Sequence, residues 1–193
     1  MGRNFRGINV GENPKMSVKV PRIETERLLL RGRTMADFDA FAAIWGDPEV
    51  ARFTSGVPLS REDSWRRFAC CYWDLVGCGS WIVVEKANGR VIGDACITDF
   101  KRNIEPSLDG KPECGWVFAP SAQGKGYAIE AMRAALKWAD ENFPGATFSA
   151  IIDPGNVRSI RVAEKLGFRE AARTTYKAKP ASVYYRGAEG RAR

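Results

Sequence analysis

The chain has 193 residues, 45% of them hydrophobic and 27% charged, which suits one globular domain with a full core. No run reaches the ~18 apolar residues of a membrane span, and Met1–Val10 lacks the apolar heart of a secretory signal, so a cytoplasmic protein without a membrane partner is expected. The net charge of +7 gathers at the ends, with eight basic and three acidic residues in 1–33 and seven and two in 169–193. The middle is therefore net acidic, which argues against direct nucleic-acid binding, and charge steering of an acidic ligand or partner explains the excess as well.

Histidine is absent, and Cys70, Cys71, Cys78, Cys96 and Cys114 form no CxxC pair. That excludes histidine-dependent serine or cysteine catalysis and argues against a zinc site, so no metal is expected and the thiols read as reduced.

Residues 1–20 hold three glycines, three asparagines and a proline with little periodicity, and read as a flexible basic leader. A single domain is expected over 21–187, followed by a short tail at 188–193. Glu26–Arg31 reads as a first strand. Thr34 caps a helix through Phe38, Phe41, Ala42 and Trp45, and Asp47-Pro48 breaks it. Ser60 caps a second helix through Trp65, Phe68, Ala69, Tyr72 and Leu75, ended by Gly77 and Gly79. Trp45, Phe53, Trp65 and Trp73 read either as core or as the lining of a pocket. Strands at Ser80–Lys86 and Arg90–Asp99 are joined by Ala87-Asn88-Gly89, a hairpin signal. A loop at 100–112, a strand at Glu113–Phe118 and a helix carrying Ala128, Ala131, Met132, Ala135, Leu136 and Ala139 follow. Thr147–Ile152 is strand, Asn156–Leu166 helix closed by Gly167, and Arg169–Tyr176 and Ala181–Arg186 are strand-like. This order predicts an α+β fold, a mixed sheet of about seven strands with helices on both faces.

The most informative stretch is Phe118-Ala-Pro-Ser-Ala-Gln-Gly-Lys-Gly-Tyr-Ala-Ile-Glu-Ala131, where a strand enters a glycine-bearing turn and then a helix. Gly124 and Gly126 free the turn's backbone N–H groups to close on an anion, and the helix start adds its own N–H groups and dipole. A phosphate or pyrophosphate is the expected guest. The glycine spacing fits neither a dinucleotide-binding fingerprint nor a P-loop.

Gln123-Gly-Lys-Gly126-Tyr-Ala128 resembles the Gln/Arg-x-x-Gly-x-Gly/Ala pyrophosphate loop of the GNAT superfamily of acetyl-CoA-dependent N-acetyltransferases. Asn156-Val-Arg-Ser159, running on to Glu164-Lys-Leu-Gly-Phe168, resembles a second signature of that superfamily, and most closely the branch that acetylates ribosomal-protein N-termini (RimJ/RimL-type).

The resemblance implies a twisted, mostly antiparallel sheet whose fourth and fifth strands (113–118 and 147–152) splay apart at a bulge, with pantetheine added like a strand. It implies that Val117 and Phe118 line this arm and that Gln123, Gly124, Lys125, Gly126, Tyr127 and Ala128 hold the pyrophosphate. Lys125 reads either as an added charge or as a solvated lysine. Asn156 reads as a partner of the pantetheine or thioester, as a helix cap, or as both. Ser159 reads as a donor to the leaving thiolate or as a plain surface serine, and Arg158 and Arg161 as contacts of the cofactor's 3′-phosphate or as solvated charges. Glu113 reads either as the catalytic base, its pKa raised by burial, or as a strand-end ion-pair partner. Ala163 stands where some family members carry a tyrosine acid, leaving that part to Ser159, Tyr184, Tyr185 or solvent.

The expected activity is transfer of an acetyl group from acetyl-CoA to a primary amine by direct attack, with a protein N-terminus as the acceptor the branch implies. A small-molecule amine, or a silent CoA-binding module, is the alternative. Cys114 is the one rival nucleophile, and the C-terminal strand edge leaves room for a homodimer.

Overall fold

The computed structural model describes residues 19–70 and 72–187, without the side chains of Asp74 and Leu75. Nearly all of the expected leader, the tail at 188–193, Cys71 and the helix-face position of Leu75 lie outside the described residues.

One sheet of eight strands runs β1 (Ile23–Glu24), β2 (Leu28–Arg31), β3 (Ser80–Glu85), β4 (Arg90–Thr98), β5 (Glu113–Phe118), β6 (Phe148–Ile152), β8 (Lys179–Arg186), β7 (Arg169–Tyr176). Every neighbouring pair is antiparallel except β5 with β6. That parallel pair needs a crossover, which the helix α5 (Tyr127–Asn142) supplies. The expected first strand is shorter and preceded by β1, because Thr25–Arg27 turns the chain back so that Ile23 faces Leu30.

The sheet is covered on both faces. On one, α5 buries Ala131, Met132, Ala135, Leu136 and Ala139, and α6 (Val157–Lys165) adds Ala163, against Leu28, Leu30, Trp81, Val83, Ile97 and Phe148. On the other, α1 (Phe38–Trp45) and α3 (Arg61–Ala69) set Phe38, Phe41, Trp45 and Phe68 on Ile82 and Val84. Fully burying an aliphatic or aromatic side chain of this kind contributes about 1.5–3 kcal/mol. The 100–112 loop is not a free excursion, since Ile104 and Leu108 pack on Val183 beside the second face.

Two expectations are corrected. Asp47-Pro48 ends α1 but also starts α2 (Pro48–Arg52), because Asp47 Oδ1 accepts from the Glu49 and Val50 N–H groups and Pro48 occupies the first turn. The single helix expected from Ser60 is two, α3 and α4 (Trp73–Val76). Phe68 belongs to the α1 face, whereas Trp73 packs edge-on against Trp81 and Trp138 on the α5 face. A straight helix cannot deliver both, so the chain turns extended at Cys70.

Gly93 of β4 lies where β5 comes closest. A Cβ there would meet the Val117 carbonyl oxygen at 2.6 Å and the Phe118 ring at 2.7 Å. Gly93→Ala is expected to lower stability by about 1–3 kcal/mol, read as a lower urea midpoint. An unchanged midpoint would mean that β5 gives way without cost.

Candidate active site

β5 and β6 pair at one position only, Glu113 with Ser149, where the Ser149 N–H donates to the Pro112 carbonyl at 2.9 Å. Beyond it the two strands part, while β5 stays in register with β4 from Thr98↔Glu113 to Gly93↔Phe118. The gap therefore opens between the two strands where it is expected. No register shift falls in the β4–β5 ladder; among the described residues the shifts lie in β3–β4 and β7–β8, so the bulge expected in β5 is not seen.

The direction of the free backbone groups follows from alternation along a strand. The Ala119 N–H donates to Ile92 on the β4 side, and the Pro112 carbonyl accepts on the β6 side. Even-numbered residues of β5 thus turn their N–H and C=O groups toward the gap, so Trp116 and Phe118 present N–H groups there. Val117 is instead half-buried with its side chain on the α1 face. Gln123 closes the end of the gap: its amide donates to the Phe118 carbonyl at 3.1 Å and accepts from Arg158 at 2.9 Å. Arg158 also pairs with Glu49 at 3.1 Å, so it is a bridge between elements and not a loose surface charge.

α5 begins beside this end without a side-chain cap. Gly126 is its N-cap, at φ +81°, and Gly124 stands at φ +75°. The first intrahelical bond is Glu130 N–H to the Gly126 carbonyl, so the N–H groups of Tyr127, Ala128 and Ile129 have no intrahelical acceptor. Three donors and the helix dipole thus face one exposed, glycine-lined spot, the geometry that takes an anion. Arg27 fixes the turn, donating to the Lys125 carbonyl at 3.0 Å, pairing with Glu130 at 2.7 Å and lying 4.5 Å above the Tyr127 ring. Tyr127 itself is buried and donates its hydroxyl to Glu85, while the Lys125 side chain is exposed.

Across the gap, Asn156 caps α6, its carboxamide oxygen accepting from the Ser159 N–H at 3.2 Å. The cap uses the oxygen and leaves the Asn156 amide NH₂ without a partner among the described residues. Ser159 is half-buried in the first turn.

Glu113 is buried, and both its oxygens accept from Arg102 at 2.7 Å, while Arg102 also donates to the Tyr176 hydroxyl. That is a bidentate strand-end ion pair, with neither oxygen free toward the gap. The Cys114 thiol is buried on the α5 face and its pKa is pushed well up by burial, which removes it as a nucleophile. Tyr184 is buried and its pKa is also raised by burial.

A second acid, not singled out in the sequence, is buried with one oxygen unpartnered among the described residues. Asp94 is opposite Val117 in the β4–β5 ladder and is 8% exposed. One oxygen accepts from Arg33 at 3.3 Å, and Oδ1 is buried with no partner among the described residues. Burial raises its pKa above the ordinary value against the pull of Arg33 and Arg67. Beside it the Cys96 thiol is pushed up to about 12 by burial and by Asp94 and Glu113. Gly115 has no side chain here, because a Cβ would meet the Cys96 sulfur at 2.8 Å. Arg33 gathers the carbonyls of Arg67, Phe68 and Cys70 at the end of α3 and so ties that helix to the acid. The signal that could have marked Asp94 was its isolation in Val91-Ile-Gly-Asp94-Ala-Cys-Ile97, an apolar run with one carboxylate.

Comparison with known proteins was then decisive for the family. The profile of the acetyltransferase (GNAT) domain matches residues 27–169. The "uncharacterized protein YkkB" of Bacillus subtilis is 32% identical over 86% of this chain and 95% of its own. The "uncharacterized N-acetyltransferase YnaD" of the same organism is 42% identical over 76% and 82%. A GNAT-family acetyltransferase structure from Bordetella pertussis superimposes with a TM-score of 0.76 at 28% identity, covering 86% of this chain and 99% of that one.

The raised pKa of Asp94 has a consequence for stability. The folded protein binds this proton more tightly than the unfolded chain, so the associated stability is present below the ordinary carboxylate range. It is given up as pH rises through the folded pKa. Asp94→Asn, which never ionises, is therefore expected to be at least as stable as the parent at neutral pH, with an equal or higher urea midpoint. A large loss would show that the Arg33 contact outweighs the burial cost.

Proposed function

The chain belongs to the GNAT family of acetyltransferases and is an acetyl-CoA-dependent N-acetyltransferase, and from that premise we propose that it acetylates a primary amine bound over Asp94, by direct attack on the thioester. The uncapped, glycine-lined start of α5 is the observation that carries this reading, because it fits a pyrophosphate and lies at the end of the gap between β5 and β6.

In this proposal the N–H groups of Tyr127, Ala128 and Ile129 hold the pyrophosphate, with Gln123, Gly124, Lys125 and Gly126 shaping the turn around it. Pantetheine runs along β5 past Val117 and Phe118, taking the gap-facing N–H groups of Trp116 and Phe118 and the free amide of Asn156. One of the β5 N–H groups donates to the thioester oxygen as charge develops there. The neutral amine attacks the carbonyl carbon; a C–N bond forms and the C–S bond breaks. The amine proton passes to Asp94, directly or through one water, and from there to solvent, while the Ser159 hydroxyl donates a hydrogen bond to the leaving thiolate, which takes its proton from solvent.

Glu113 stands lower as a base than its place at the strand start suggests, since accepting a proton would cost it the bidentate pair with Arg102. Its part in this reading is to hold β5 to β6 at the closed end of the gap. The bacterial relatives above are named only as N-acetyltransferases or not at all. The alpha/beta-tubulin-N-acetyltransferase 9 of Homo sapiens, 29% identical over 64% of this chain, is named for a protein acceptor, whereas the aminoglycoside acetyltransferase structures, at 20% identity, share only the fold, so these names do not decide between a protein amine and a small one.

Gly126→Trp is expected to lower acetyl-CoA affinity at least a hundredfold by calorimetry while the far-ultraviolet dichroism is kept; tight binding would refute the site. Ionised Asp94 is the active form in this scheme, so kcat/KM rises with pH through a pKa above the ordinary 3.8. Asp94→Asn is expected to cost about 10²–10⁴ in kcat and to abolish that acidic limb. Glu113→Gln showing the same loss of the limb would return the base role to Glu113.

A further inference from the structure

Three guanidinium groups lie over the sheet face that carries Asp94, and two of them are committed. Arg33 gives Nη1 to the carbonyls of Arg67, Phe68 and Cys70 and Nη2 to Asp94, with only its buried Nε unpartnered among the described residues, and Arg102 spends its fork on Glu113 and Tyr176. Arg67 differs. It has no hydrogen bond or ion pair among the described residues, although its guanidinium carbon lies 3.7 Å from the centroid of the buried Trp45 ring. Arg67 is exposed as a residue, yet the protein around its head group desolvates it enough to lower its pKa.

An arginine flattened on an indole, partly stripped of water and left without an anion holds its five donors in a fixed plane. A carboxylate is the planar partner that this fork fits. Arg67 and Asp94 lie within electrostatic reach of each other, each acting on the other's protonation, but they are not paired. This face thus carries an unpartnered cation over Trp45 and an unpartnered, buried carboxylate oxygen on Asp94. With Arg102 and Glu113 cancelling, Arg33, Arg67 and Asp94 leave this region with one net positive charge, which repels a polycation.

We propose that the acceptor is an amine that carries its own carboxylate, an amino-acid-like molecule whose acid end is bound by Arg67 and whose amine reaches Asp94. This rests on the acetyltransferase reading above and narrows its substrate class. Arg67 is then the residue that sets specificity, and it takes no part in proton transfer.

The test is a thiol-release assay with acetyl-CoA on the full chain, using free amino acids, the matching α-carboxamides, and spermidine as a polycation, with acetyl-CoA binding followed by calorimetry. The expected result is a preference of tenfold or more in kcat/KM for an acid over its amide, with spermidine the poorest acceptor. Arg67→Gln is expected to bring that ratio close to one through the KM of the acid, and Arg67→Lys to restore part of it, with acetyl-CoA affinity held within twofold in both. Turnover of amides or spermidine at least as fast as of acids overturns the proposal and leaves the acetyltransferase reading standing. So does an Arg67→Gln that keeps the acid preference, or release with no carboxylate-bearing amine while acetyl-CoA still binds. Failure to bind acetyl-CoA refutes the reading itself, and the proposal with it.

Discussion

The molecule turns on one broken strand pairing. β5 and β6 are held together at Glu113 and Ser149 and nowhere beyond. A sheet that stops pairing midway leaves N–H and C=O groups without partners, and a buried chain cannot carry many of those. Most of the surrounding structure follows from managing this opening. At its closed end, the Arg102 fork clamps Glu113 and Ser149 reaches the carbonyl of Lys111. At its open end, Gln123 takes the Phe118 carbonyl and, through Arg158, binds the end of β5 to α6. What remains unpaired is a short row of donors facing a gap, continued by the bare first turn of α5. A ligand with an anionic head and an amide-bearing arm is what such a row can accept.

The opposite face of the same strands solves a different problem. There α1 and α3 lie over a sheet that carries an acid in its middle, and the cost of burying that acid is offset by guanidinium groups supported on aromatic rings. Arg33 lies about as far from Phe41 as from Phe68, at 5.1 Å and 5.5 Å, and Arg67 sits closer to Trp45. Such contacts let a cation sit in a partly dry site without a full set of hydrogen bonds. The charges of both arginines act on Asp94, holding its pKa down against the burial that raises it. One arginine is used up in tying α3 down, and the other is left with its donors unspent. The difference between a committed and an uncommitted charge on this face is therefore decided by hydrogen-bond accounting, not by residue type.

Much of this was legible in the chain. The hairpin at Asn88-Gly89, the apolar stripe of α5 and the glycine turn before it are local signals, carried by side-chain period and by backbone freedom at φ above zero. They fixed most of the strand and helix order, the glycine turn before α5 and, through the two signatures, the family. Asn156 was read two ways, and its capping bond is now seen, made by the oxygen alone. The misses share a cause. The helix after Ser60 reads as continuous because its apolar residues keep helical spacing, but spacing does not say that Phe68 and Trp73 serve opposite faces of one sheet. Glu113 was left open between base and ion-pair partner because nothing near it in sequence hints at Arg102, which arrives from a loop that the sequence marks only as polar.

By itself, then, the sequence determined what neighbours along the chain can decide: the hairpin that joins β3 to β4, the α5 stripe, the Gly124–Gly126 turn and most of the order of the elements. Only the tertiary structure decided which charges are spent and which are open. Arg33, Arg67, Arg102, Asp94 and Glu113 come from five separate segments and meet on one sheet face. Which acid is clamped and which keeps a bare oxygen depends on distances between those segments. The physical reason is that a charge's availability is set by its partners and its burial, and both are properties of the packed fold.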